Sequence, residues 1–302
     1  MTKFSIATAC ALALGSFGFA ATSFAGDDDT ASKDTKVVQE TVKETCITGD
    51  LGVNITNEFI NGRAIVLADR GVSAQPYLDL YFKLYEGTGF INKITFNLGL
   101  WSDISEQTIR PNSSVRNWEE FDWTTGFTVT FAKNFSATLS YFEFDSPNGT
   151  FNTPRSINFN LAYDDTDALG AFALHPHFTV LAELPAPGQA GIGPGGWYYE
   201  PGIAPSYTFA KGTAYPVTFS VPAKVGLGNE RLYVGETFGY VSVGANLAVP
   251  LAFIPSCYGV WTFSGGYNWY YVDKNLVLLQ ESFIGNGKHD QHIFQGAIGL
   301  TF

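Results

Sequence analysis

Two histidine groups are the first candidates for chemistry. His175-Pro176-His177 would put two imidazoles on one face of a strand, roughly 7 Å apart. His289-Asp290-Gln291-His292 is a second group near the chain end. Neutral imidazole is a common metal ligand. Neither group has a recognised ligand spacing such as His-Glu-x-x-His, so structural or solvated histidines are expected, with no metal and no cofactor. A hydrolase would need a serine activated by a histidine general base. Ser282 and His292 are near each other in sequence, but no Gly-x-Ser-x-Gly turn is present. No catalytic residue is assigned, and the expectation is that the chain is not an enzyme.

A second set of residues could line a path for solutes. Asp79 and Lys83, Glu120 and Asp122, Asn158 and Asn160, His175, His177 and Glu183, and Lys224 lie on the polar rows of alternating segments. Facing a closed interior, they would either conduct small hydrophilic solutes or pair with one another and fill the space. A third pair is Cys46 and Cys257. In an exported chain two cysteines can form one disulfide, and that bond is expected here, with both residues at one rim of the structure.

The segments that must position these groups follow a period of two. Ile157, Phe159, Leu161 and Tyr163 alternate with Ser156, Asn158, Asn160 and Ala162. Ile94, Phe96, Leu98 and Leu100 alternate with Thr95, Asn97 and Gly99, and residues 120–131 repeat the pattern. About twelve such segments are expected, at 48–60, 73–86, 90–102, 117–132, 135–145, 155–164, 171–184, 201–210, 215–227, 238–252, 258–272 and 290–302. Most are long enough to cross a membrane as tilted strands, which takes about 9–11 residues. Short connections alternate with longer ones along the chain. Outer-membrane barrels show this asymmetry, with short periplasmic turns and long extracellular loops. Residues 237–272 hold no charged side chain, but Asn246, Pro250, Pro255 and Gly259 interrupt them. A strand hairpin is expected there, not a membrane helix.

Composition agrees. Of 302 residues 45% are hydrophobic, 16% aromatic and only 15% charged, against about 25% charged in average domains. A net charge of -11 argues against nucleic acid as a partner. Lys3 is the only charge before Asp27, and Ser23-Phe24-Ala25 ends an apolar run. Residues 1–25 therefore read as a secretory signal peptide. Residues 26–47 read as a flexible periplasmic tail, too short for an energy-coupling plug domain, and 48–302 as the barrel. Tyr163, Trp261, Trp269 and Tyr271 lie near segment ends, where interface aromatics belong. Loop 185–200 is rich in Gly and Pro and ends in Trp197-Tyr198-Tyr199. It is expected either to present an aromatic tip to a sugar or partner, or to fold into the mouth as a constriction.

The last strand ends in Leu300-Thr301-Phe302, with apolar residues at alternate positions. This resembles the sorting signal of Gram-negative outer-membrane proteins. The resemblance implies recognition of Leu300 and Phe302 by the barrel-assembly machinery. A narrower stretch resembles the TorF-type porin family: Gly52-Val53 through Asn57-Glu58-Phe59-Ile60-Asn61-Gly62-Arg63, followed by Pro76-Tyr77-Leu78-Asp79-Leu80-Tyr81-Phe82. It covers about 35 residues and lacks an uninterrupted arginine-glycine step. The combined expectation is an all-β, antiparallel transmembrane barrel of about twelve strands in a bacterial outer membrane. It would be in contact with lipid and pass small hydrophilic solutes passively. The alternatives are a filled structural or adhesive barrel and, further off, a lipid-modifying enzyme.

Overall fold

A computed structural model describes residues 45–108, 111–151, 153–184, 195–233 and 235–302. The expected signal peptide and nearly all of the expected tail lie outside these residues. In chain order the strands are β1 (Ile47–Thr56), β2 (Phe59–Ile60), β3 (Val66–Ala68), β4 (Ser73–Glu86), β5 (Ile91–Ser105), β6 (Trp118–Phe131), β7 (Phe135–Asp145) and β8 (Arg155–Tyr163). They continue with β9 (His177–Leu184), β10 (Trp197–Ile203), β11 (Ser206–Phe209), β12 (Val217–Ser220), β13 (Ala223–Gly228), β14 (Phe238–Pro250), β15 (Val260–Val272) and β16 (Asp290–Thr301). Two α-helices, α1 (Thr166–Leu169) and α2 (Lys274–Ile284), and two short 3-10 turns at Gly170–Phe172 and Ser256–Tyr258 occupy connections among the described residues.

All strands but β2 and β3 belong to one antiparallel sheet, and it closes. β1 pairs with β4 on one side and with β16 on the other; β16 pairs with β15, and β15 with β14. Gly49 and Phe302 exchange backbone hydrogen bonds of 2.9 Å in both directions, so pairing reaches the last residue. Two staves are each built from two strands. β10 and β11 are separated at Ala204-Pro205, and β12 and β13 at Val221-Pro222. Proline offers no N–H to a ladder, so pairing breaks beside it. Counting these as single staves, the wall has twelve.

Cross-strand registers fix which side chains face out. Phe127, Leu139 and Phe159 are mutual partners across β6, β7 and β8, and all three are exposed. Leu51, Leu98, Leu247, Phe263, Phe294 and Ile298 continue this greasy, uncovered exterior around the cylinder. An apolar surface of that extent belongs in hydrocarbon. No helix among the described residues is long and apolar enough to cross a membrane. Residues 238–272 form the expected hairpin, β14 with β15.

Four expectations need correction. First, the expected opening strand 48–60 ends at Thr56. Phe59–Ile60 leaves the wall and pairs with Val66–Ala68 as a separate ribbon. Second, the segment expected at 171–184 is strand only from His177. His175 sits in the turn with φ 48°, so it does not share a strand face with His177. The Asp165 carboxylate accepts the N–H groups of Leu174 and His175 and holds that turn open to residue 176. Third, Trp197-Tyr198-Tyr199 is not a loop tip; it starts β10, with Tyr198 buried and its neighbours exposed. Residues 185–194 lie outside the described residues.

Fourth, Cys46 and Cys257 are exposed and unbonded. Strand β16 lies between β1 and β15. Two strand spacings are about 10 Å, beyond the roughly 7 Å Cα separation a disulfide spans. Both thiols are expected to react with a maleimide without prior reduction. A second expected outcome concerns the wall. Leu139→Arg should cost about 2–4 kcal/mol in equilibrium refolding into vesicles, while Ser140→Ala, one residue on and facing inward, should cost under about 1 kcal/mol.

Candidate functional site: an occluded lumen

The inward rows follow from the same registers. Thr128, Thr138, Asn160, Thr179 and Glu200 are successive cross-strand partners from β6 to β10. Thr128 and Thr138 hydroxyls lie 2.8 Å apart, and Asn160 Nδ2 donates to Thr179 Oγ1 at 2.7 Å. The oxygens Asn97 Oδ1, Asn158 Oδ1, Asn160 Oδ1 and Gln295 Oε1 are buried and have no protein donor. Buried oxygens of this kind take ordered water as partner. This part of the bore is chemically built to be wet.

The end bearing the long connections is different. The connection 57–72 folds into the bore, carrying the β2–β3 ribbon. Phe59, Ile60 and Val66 are 0% exposed. They pack with Leu181, Tyr198, Tyr240, Tyr270, Val272 and Ile293 of the wall and with Leu232, Tyr233 and Leu276 of other connections. Asn61 Oδ1 accepts the N–H groups of Arg63 and Ile65, each at 3.0 Å, which turns the ribbon back on itself. Helix α2 covers the ribbon. Asp273 caps its start by accepting from Asn275 N at 2.9 Å, and Gly285 ends it in the left-handed conformation with φ 72°.

Charged contacts seat this segment. Arg63 pairs with Glu183 of β9, and its guanidinium lies 4.6 Å from the centre of the Phe144 ring. Nearby, the Tyr198 and Tyr240 hydroxyls face Glu200, which Lys224 meets at 2.9 Å. The Gly62 carbonyl is 3.3 Å from Tyr198 Oη. On the opposite wall Asp103 accepts from Ser73 Oγ and, at 2.5 Å, from Ser105 Oγ. Asp103 is directly across from Glu120, and Trp101 from Asp122. A register shift between Asp103 and Ile104 leaves Glu119 as an extra residue, so Glu119 and Glu120 are both buried. A β-bulge produces this by opposing two residues to one.

The residues singled out in sequence divide as follows. Glu120, Asp122, Asn158, Asn160, Glu183 and Lys224 are on the inner wall. Asp79 is also inward, across from Asp50, nearer the short turns. His177 begins β9 with its ring against Gly202, where any larger side chain would collide. Lys83 is close to the short-turn rim and pairs with Glu86 at 2.8 Å. His175 is in the turn with Asp164 and Asp165. Its Nδ1 is 3.6 and 3.9 Å from their carboxylates, a grouping with metal-ligand atoms. Burial pushes the Asp165 carboxyl up, but the backbone hydrogen bonds from Leu174 and His175 outweigh it and hold the group below the usual carboxylate range.

Tyr163 and Trp261 face outward close to the short turns. Trp269 and Tyr271 face outward toward the loop end, where Trp269 Nε1 donates to Asp290 Oδ1 at 3.0 Å and Tyr271 stacks on His289. Leu300 and Phe302 belong to the outward row of β16. Ser282 and His292 are engaged elsewhere: Ser282 Oγ donates to the Leu279 carbonyl, and His292 Nδ1 lies 2.7 Å from Tyr267 Oη. Sequence reasoning missed Arg63, Gln75, Asp103 and Glu119. The adjacent acids at 119 and 120 were the available sign of a bulge.

The sealed wall and its apolar exterior define a closed, antiparallel transmembrane β-barrel of twelve staves. Solved structures of similar fold include outer-membrane proteins. The beta domain of the Bordetella autotransporter BrkA is similar at TM-score 0.47 and 10% identity, over 84% of this chain and 99% of its own. LpxR from Salmonella typhimurium matches at 0.46 and 10%, over 84% and 100%. The NanC porin matches at 0.43 and 10%, over 83% and 100%. At this identity the likeness concerns the fold alone. No family model and no curated protein matches the chain.

The inserted segment should be sensitive to pH. Burial raises the Glu58 carboxyl from its ordinary 4.5 to about 7; Lys288 opposes the shift and Asp69 adds to it. The seated segment thus binds more protons than a displaced, hydrated one between those values. Its seating is strongest below about pH 4.5 and weakens as pH rises through 7. Hydrogen exchange of residues 59–68 should be faster at pH 8 than at pH 5, and Glu58→Gln should flatten the difference.

Proposed function

We propose that this barrel is a passive diffusion channel for small hydrophilic solutes, held closed at its outer mouth by the segment 57–72. The observation that carries the reading is the contrast between the two parts of the bore. Much of it presents oxygens that need water, and only the loop end is dry. The dry part is filled by a connection, which can withdraw without breaking the wall. A barrel of about twelve staves lies between the filled eight-stranded and the open sixteen-stranded cases. Its bore is therefore wide enough to need such a filler.

The reading implies a resting state of low permeability. Arg63 and Glu183 act as a fastening between filler and wall, and α2 acts as the cover. Leu300 and Phe302, outward on the final strand, are where assembly machinery of the outer membrane would read the chain. A second reading has its own support: the full burial of Phe59, Ile60 and Val66 suits a permanently filled structural barrel.

Planar-bilayer recording separates the two. The native chain should conduct rarely, while a variant with residues 59–68 replaced by a Gly/Ser linker of equal length should carry a steady current. A variant that is folded, as shown by heat-modifiable gel mobility, yet silent would overturn the channel and leave the filled barrel.

A further inference from the structure

We infer that the path through this barrel selects for small cations, and that the closing segment carries part of the charge that masks this preference. The inference rests on the channel reading above. It starts from a census of inward charges among the described residues. Glu183 has Arg63, and Glu200 has Lys224. Lys83, on the same row as Asp79, pairs with Glu86. Asp50, Asp79, Asp103, Glu120 and Asp122 have no basic side chain in an ion pair with them, although Arg63 lies close enough to Glu120 and Asp122 to act on both.

These five acids form two tiers. Asp50 and Asp79 are cross-strand partners near the short turns. Asp103 and Glu120 are cross-strand partners beneath the inserted segment, with Asp122 two residues along on the same face. Like charges directly opposite are unfavourable in a sheet unless something of opposite sign comes between them. Rings of Asp and Glu do this for cations in selective pores.

An independent observation points the same way. Gln75 is 0% exposed, and its amide head reaches Asp103, with Nε2 3.4 Å from Oδ1. Its Oε1 has no partner. The same holds for Asn158 Oδ1 and Asn160 Oδ1, both on residues at most 5% exposed, while the Glu120 and Asp122 carboxyls share a hydrogen bond with each other. These groups are acceptors; buried donors without a hydrogen-bond partner in this region include Trp101 Nε1, across from Asp122, and Arg63 Nε, which leaves with the inserted segment. Carbonyl and carboxylate oxygens replace the hydration shell of a hard cation and have nothing to offer an anion.

Arg63 then has a second role. It is the basic side chain that the inserted segment contributes to this region, and it faces Glu183. When the segment withdraws, Arg63 leaves with it and Glu183 joins the unpaired acids. Opening thus leaves one more acid of the wall without its partner.

The test is the reversal potential of the linker-replaced variant across a KCl gradient. Potassium should be several-fold more permeant than chloride, and Glu120→Gln with Asp122→Asn should bring the ratio toward one. In the native chain Arg63→Gln should make openings more frequent, because it removes the fastening to Glu183. Asp79→Asn, remote from the inserted segment, should also lower the ratio and guards against a local folding defect in the double variant. A conducting variant with chloride preference, or with a ratio unmoved by these changes, overturns the cation inference alone. A folded but silent variant overturns both this inference and the channel.

Discussion

Hydrocarbon offers no hydrogen bonds, so every backbone N–H and C=O that crosses it must find a partner within the chain. All else in this molecule depends on that constraint. The sheet has no free edge: β1 finds β16 along Asp50 to Thr56, and the chain's last residue still bonds Gly49. Where proline removes a donor, at Pro205 and Pro222, the stave is interrupted and resumes. Closure also forces a division of side chains. Alternate residues such as Leu139 and Phe159 meet lipid, and those between them, Ser140 and Asn160, meet the bore.

Closing twelve staves creates a second problem, an interior too broad for the wall's own small side chains. The chain meets it differently along the bore. Toward the loops it folds its first long connection inward and seals it with aromatic rings, an ion pair and a helix. Elsewhere it leaves amide and hydroxyl oxygens that water can satisfy. A wet column under a dry seal is the arrangement on which the channel proposal rests. The excess of acid over base along the column is the feature on which the proposed cation preference rests.

Much of the fold was legible from residues alone. The Ile157-Phe159-Leu161 row, the alternation of short and long connections and the proline-interrupted hairpin after Phe238 all carried their own physical explanation. The inward placement of Glu120, Asp122, Asn158 and Asn160 followed from parity once the greasy rows were known. What failed did so for identifiable reasons. Phe59 and Ile60 are as apolar as a lipid-facing pair, and a protein interior attracts them equally, so composition could not distinguish wall from filler. His175 was placed on a strand because nothing local announces that the Asp165 side chain will capture the backbone ten residues later. The cysteine pairing assumed that strands sharing a neighbour are themselves close.

The amino-acid order by itself determined that the chain makes alternating strands, that one face of each is greasy, and that the whole must close in a membrane. These are properties of periods and near neighbours, expressed within about fifteen residues. Only the tertiary structure decided what occupies the bore. The meeting of Arg63 with Glu183, of Phe59 with Trp101, and of Asp103 with Glu120 depends on registers and on one bulge, which bring distant residues together. A period of two tells each side chain which way to face, but it cannot say what waits on the other side.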